Sequence, residues 1–148
     1  MEYPDGFHVL SEEEEKHVFQ DDNPNRAGIW DKDRHVIVAV LWHSSNKLLI
    51  ALAGNAKGVA QNNESRISRV LKDDGYKKGE FLEMQIAGNK AYGFSYEYEV
   101  QGVIQCCRTI SVIEGVTCYN IYFYGRRENE ETGLKLFEEI LRTVQFNK

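Results

Sequence analysis

The feature that most limits how this chain can fold is a succession of four strand-like runs. They are "EFLEMQIAG", "KAYGFSYEYEV", "VIQCCRTISVI" and "VTCYNIYFYG", with the turn signals "GN", "QG" and "EG" between them. Two-residue turns join antiparallel neighbours, whereas parallel strands need a crossover of a dozen residues or more. Three short turns in a row therefore predict a meander, with residues 90–125 forming three consecutive antiparallel strands.

Side chains alternate along a strand, so the turns also predict the faces. If Gln101 and Gly102 make one turn, Tyr96 lies opposite Cys107. If Glu114 and Gly115 make the next, Cys107 lies opposite Tyr122 and Cys118 opposite Ser111. One face then carries Tyr92, Phe94, Tyr96 and Tyr98, with Cys107, Thr109, Ser111, Asn120, Tyr122 and Tyr124 beside them. The other carries Ala91, Ile104, Cys106, Ile110, Val112, Tyr119, Ile121 and Phe123. Neither face is uniformly polar, so both need cover. That predicts an α+β fold, an antiparallel meander sheet flanked by helices on both faces. Cys106 and Cys107 point to opposite faces and Cys118 has no cysteine opposite, so no disulfide is expected. Glu97 is expected to meet water or Arg108 on its own face.

The rest of the chain supplies the cover. "GFHVL" reads as a short strand and "SEEEEKHVF" as a helix with a Ser11–Glu14 capping box, docked by Val18 and Phe19. "QDDNPNRAG" reads as a loop, and "RHVIVAVLWH" as a strand buried on both faces. "NKLLIALAG" is ambiguous: Leu and Ala favour helix, while the preceding "SSNK" suits a hairpin turn; helix is preferred. In "AKGVAQNNESRISRVLKDDGY", Val59, Ala60, Asn63, Ile67, Val70 and Leu71 share a helical stripe, with Gly75 as a stop. In "ENEETGLKLFEEILRTV", Leu134, Phe137, Leu141 and Val144 form the stripe, widened by Leu136 and Ile140. No proline follows Pro24 and no repeat is present, so residues 1–148 are expected to form one domain.

Composition excludes more than it assigns. The net charge of −5 and the lack of a basic face argue against nucleic acid. No apolar run reaches eighteen residues, so no membrane insertion is expected. The acidic N-terminus resembles neither a secretory signal nor a lipoprotein leader, which predicts a cytoplasmic protein. Three cysteines without a C-x-x-C, and four histidines without ligand spacing, predict no metal site. "GNAKGVA" lacks the phosphate-loop arrangement, and no dinucleotide fingerprint is present, so no cofactor is expected. There is no G-x-S-x-G elbow and no H-E-x-x-H.

The stretch "IAGNKAYGFSYEYEVQG", a hairpin, and then "CYNIYFYGRRENEETGLKLFEEILRTVQF" resembles the C-terminal half of PsbP-like domains. That superfamily includes the photosystem II extrinsic subunit, a Ran-binding nuclear import factor and bacterial DcrB-like proteins. The shared features are an Ala-led aromatic strand, a tyrosine-bearing strand before the last helix, and the closing "ILxxxxF" pattern. The N-terminal half departs from the family's Pro-x-Gly-Trp-like turn: "PDGFHVL" comes early, and the Trp of "GIWDKD" much later. The resemblance implies an α/β/α sandwich. Its signature consists of fold positions and brings no catalytic residue; members mostly bind or support other proteins.

The row Tyr92, Tyr96, Tyr98, Tyr122 and Tyr124 is then the candidate binding surface. Tyrosine gives contact area at low entropic cost and tolerates water on one side, where a pure core would use Leu, Ile or Phe. The competing reading is a cross-strand ladder under helices, its hydroxyls bonded internally. The leading expectation is a non-enzymatic binding module for a protein or peptide. The alternatives are a small-molecule carrier with a pocket under the aromatic face, and a thiol-dependent enzyme in which Cys107 or Cys118 meets His35 or His43.

Overall fold

A computed structural model describes residues 5–19, 24–44 and 56–145. Among the described residues seven strands form one antiparallel sheet: β1 (His8–Val9), β2 (Arg26–Asp31), β3 (Val36–Ser44), β4 (Lys77–Ile86), β5 (Asn89–Val100), β6 (Val103–Glu114) and β7 (Thr117–Arg126). Their order across the sheet is β1-β2-β3-β7-β6-β5-β4. The meander is thus present, and it runs inward from an outer edge until β7 meets β3. The preferred helix over "NKLLIALAG" falls outside the described residues.

Turn chemistry sets the register. Ala87–Gly88 and Gln101–Gly102 have positive φ at both positions, at 48° and 86° and at 50° and 82°, the I′ pattern that matches strand twist. The first hairpin therefore turns on Ala87–Gly88, one residue before the expected "GN". The last turn is Gly115–Val116, because Glu114 pairs with Thr117. Gly115 takes φ 61° at the first central position, where a II′ turn needs glycine. This moves β7 by two residues from the expected register. Cys107 faces Tyr124 rather than Tyr122, and Cys118 faces Ile113 rather than Ser111. A shift of two preserves every face. The expected loop "QDDNPNRAG" is corrected at its end: Arg26, Ala27 and Gly28 belong to β2, paired to Leu41, Val40 and Ala39. Polar flanks mask this short strand, which its neighbour β3 holds in place.

Helix α1 (Glu12–Val18) begins at the expected capping box. The Glu14 amide donates to Ser11 Oγ at 3.2 Å, and the Ser11 amide donates to Glu14 Oε1 at 2.9 Å. Helix α2 (Ala56–Val70) lies on the tyrosine face over β5 and β6. Ala60 and Ile67 are buried as the stripe predicts, but Val70 is 64% exposed. Helix α3 (Glu130–Arg142) covers the opposite face, against β7. Its buried line is Gly133, Leu136, Phe137 and Ile140, while Leu134, Leu141 and Val144 are only partly buried. The helix is therefore rotated from the expected Leu134–Phe137–Leu141 centre. The cause is Gly133, whose missing side chain lets the helix close on Phe123 and Val36. This face holds the main core, with Val36, Val38, Ile110, Val112, Ile121 and Phe123 from the sheet.

Candidate functional site

On the tyrosine face the cover is divided. Val18 and Phe19, at the end of α1, pack with Leu10, Ala39 and Tyr122. Ile67 of α2 packs with Phe94, Tyr96 and Cys107. Between them lies an open groove of about 870 Å³. Its floor runs across four strands: Ile37, Leu41 and His43 of β3, Asn120, Tyr122 and Tyr124 of β7, Gln105 of β6, and Tyr96 and Tyr98 of β5. One wall is His17, Val18 and Phe19; the other is Asn63, Arg66, Ile67, Val70 and Leu71.

Four of the five expected tyrosines line this groove. Tyr96 is buried, stacked on Tyr98 at 6.2 Å and tilted against Phe94 at 5.4 Å. Tyr122 and Tyr124 stack at 6.4 Å with rings 7° from parallel. Tyr98 and Tyr124 are half-buried. Tyr92 does not line the groove; it lies beyond Phe94, with its ring 6.5 Å from Phe81 at the β4 edge. One correction and one addition accompany this. Glu97 pairs with Arg127 at 3.0 Å, not with Arg108, because the residues after β7 bring that guanidinium to the sheet end. Tyr76 joins the cluster from the loop after α2, its ring 5.8 Å from Tyr96 and its hydroxyl donating to Glu64 at 3.3 Å.

Burial dominates the chemistry of these hydroxyls and thiols. It pushes Tyr96, Tyr98 and Tyr124 well above the ordinary phenol range, with the neighbouring Cys107 adding to each. Tyr76 rises to about 12 through burial and then the charge of Glu64. Cys107 lies between Tyr96 and Tyr124, and burial drives its thiol far upward. Cys118 is directly opposite His43 on β3, the pairing that a thiol enzyme would use. Burial nevertheless lifts that thiol to about 11, so it stays protonated at neutral pH. Cys106, on the other face, also rises to about 11 through burial and the charges of Glu130 and Glu97.

A polar latch fixes α2 beside the groove. Asn120 Oδ1 accepts from Ser111 Oγ at 2.7 Å and from Asn63 Nδ2 at 2.9 Å. Asn63 Nδ2 also lies 3.2 Å from Ser111 Oγ. An amide within an apolar helical stripe was the sequence signal for this latch. Arg66, His17, His43 and Gln105 gave no such signal, since they come from four separate elements. Among the described residues no group of three or more His, Cys, Asp or Glu is placed to hold a metal. None of their helices is long and apolar enough to cross a membrane.

No protein-family model matches the sequence, and no curated protein matches it. Solved structures do match. Cyanobacterial PsbP from Synechocystis sp. PCC 6803 matches with a TM-score of 0.65 at 12% identity, over 93% of this chain and 80% of its own. The fold is PsbP-like. LpqN of Mycobacterium tuberculosis, involved in cell envelope biogenesis, shares the PsbP-like arrangement at TM-score 0.61 and 13% identity, over 96% of this chain and 79% of its own. PA94 of Pseudomonas aeruginosa, a protein of unknown function, matches at TM-score 0.57 and 12% identity, over 100% and 91%. At such identities the likeness is one of PsbP-like architecture alone.

Proposed function

We propose that this chain is a single PsbP-like domain acting as a non-enzymatic binding module, which holds a segment of a protein or peptide partner in the groove between α1 and α2. The observation that carries this reading is the pair of half-buried tyrosines, Tyr98 and Tyr124, on the floor of a concave surface. Rings of this kind provide a large contact area at low entropic cost. The floor crosses four strands, or three inter-strand spacings of about 4.8 Å each, a span that about four extended residues would match. The protonated thiols support a role without nucleophilic catalysis. A second reading, a small-molecule carrier, draws on the volume, which lies within the roughly 300–1,000 Å³ of ligand pockets.

Replacing Tyr98 and Tyr124 by Ser tests the module. The expected result is a folded protein by circular dichroism that no longer retains a partner captured from native lysate. Val70→Asn, at an exposed rim position, probes the same contact without touching the core. Retention of the partner by all of these variants would overturn the groove assignment.

A further inference from the structure

We infer that the segment bound in this groove is acidic, with a carboxylate facing Arg66 and apolar side chains lying on Tyr96 and Tyr98. This rests on the groove reading above and adds the partner's chemistry. The chain as a whole is acidic, with 23 Asp and Glu against 18 Lys and Arg. Yet the described residues that line the groove include no carboxylate, while Arg66, His17 and His43 sit on its walls and floor. Among the described lining residues the one formal charge, that of Arg66, is thus opposite in sign to the net charge of the chain.

Arg66 is also uncommitted in a way that several other arginines are not. Arg26 pairs with Glu15, Arg34 with Asp31, Arg126 with Glu128 and Arg127 with Glu97. Arg66 is exposed and pairs with no carboxylate among the described residues. Its charge reaches the floor, because it opposes the upward shift of the Tyr124 hydroxyl. Of the acids nearby, Glu64 accepts from the Tyr76 hydroxyl, and the field of Asp74 falls on Tyr98 and not on Tyr124. A bound segment is therefore oriented, acid toward Arg66 and Tyr124, apolar toward Tyr98. A planar guanidinium presents two parallel donors to a carboxylate, so the contact specifies geometry as well as charge.

A random peptide library displayed on phage, selected on the intact protein, tests this directly. The selected peptides are expected to place Asp or Glu beside aromatic or branched apolar residues. A synthetic copy of one should bind Arg66→Glu at least about tenfold more weakly by calorimetry. Its Glu→Lys version should recover on that variant. Lys135→Glu, exposed on the opposite face, controls for net charge and should leave binding unchanged. Peptides that lose binding on Val70→Asn but show no acidic preference, or ignore Arg66→Glu, would overturn the acidic inference and leave the groove reading standing. Failure to select any peptide, or selection of peptides indifferent to Val70→Asn, Tyr98→Ser and Arg66→Glu alike, would overturn both.

Discussion

Gly133→Ala sets two effects of similar size against each other. In the middle of α3, alanine is favoured over glycine by about 1 kcal/mol through backbone entropy. The added Cβ would stand 3.1 Å from Phe123 Cζ, 3.4 Å from Val36 Cγ2 and 3.6 Å from Phe123 Cε2. Carbon pairs prefer about 3.5–4.0 Å, so the first contact is repulsive. The ring has little room to yield. Phe123 is fully buried and stacked on Phe137 at 5.1 Å, and a Cβ on Gly125 would lie only 2.8 Å from the same Cζ. The ring is thus held in a slot between two glycines. Overpacking of a rigid core costs about 1–3 kcal/mol, so the net expectation is a loss of about 0–2 kcal/mol. Urea denaturation measures it. In a Phe123→Leu background the offending ring atoms are gone, and Gly133→Ala should then stabilise by up to about 1 kcal/mol. A gain of about 1 kcal/mol in the wild-type background would refute the slot.

Other expectations concern the core, the tyrosine face and the first helix. Phe137→Ala should cost about 3–5 kcal/mol in chemical denaturation, since that ring is completely buried; a loss under about 1 kcal/mol would place α3 wrongly. Cys106 and Cys118 titrate near 11 in the folded chain against 9.0 for an ordinary thiol, so their stabilising contribution is complete below about pH 9 and is lost as pH rises through about 11. Thiol labelling at neutral pH should accordingly wait for denaturation, and fast native labelling of Cys118 would revive a Cys118–His43 pair. Tyrosinate absorbance from Tyr96, Tyr98 and Tyr124 should appear together with loss of circular dichroism on alkaline titration; earlier ionisation would mean that water reaches the row freely. Ser11→Ala should cost about 1 kcal/mol by opening the capping box, read as faster amide exchange at Glu14.

Much of this architecture is written in short-range chemistry. The alternation of rings in Tyr92, Phe94, Tyr96 and Tyr98 assigns a face whatever the strand's neighbours, because pleat parity is local. Even the two-residue error at Gly115 left Cys106 and Cys107 on opposite sides. Ser11 and Glu14 specify the start of α1 within one turn of chain. By contrast β2 is six residues with mixed burial, and nothing in "RAGIWD" distinguishes it from loop until β3 lies beside it. The rotation of α3 likewise depends on a contact between Gly133 and Phe123, on separate elements and decided by packing.

The same division applies to the groove. The sequence by itself determined that tyrosines share one sheet face and that their row contains small and polar neighbours, since both follow from period-two alternation. Position toward the strand ends favoured Tyr98 and Tyr124 within the row, but it did not say which rings a helix would cover. Exposure of a ring depends on where helices stop, and α2 settles over β5 and β6 while α1 docks near β2 and β3. Only the tertiary structure set α1 and α2 apart over β7 and brought Arg66, His17 and His43 to the walls and floor of one groove. Parity is a property of neighbouring bonds, whereas a groove is the space that several distant elements fail to fill.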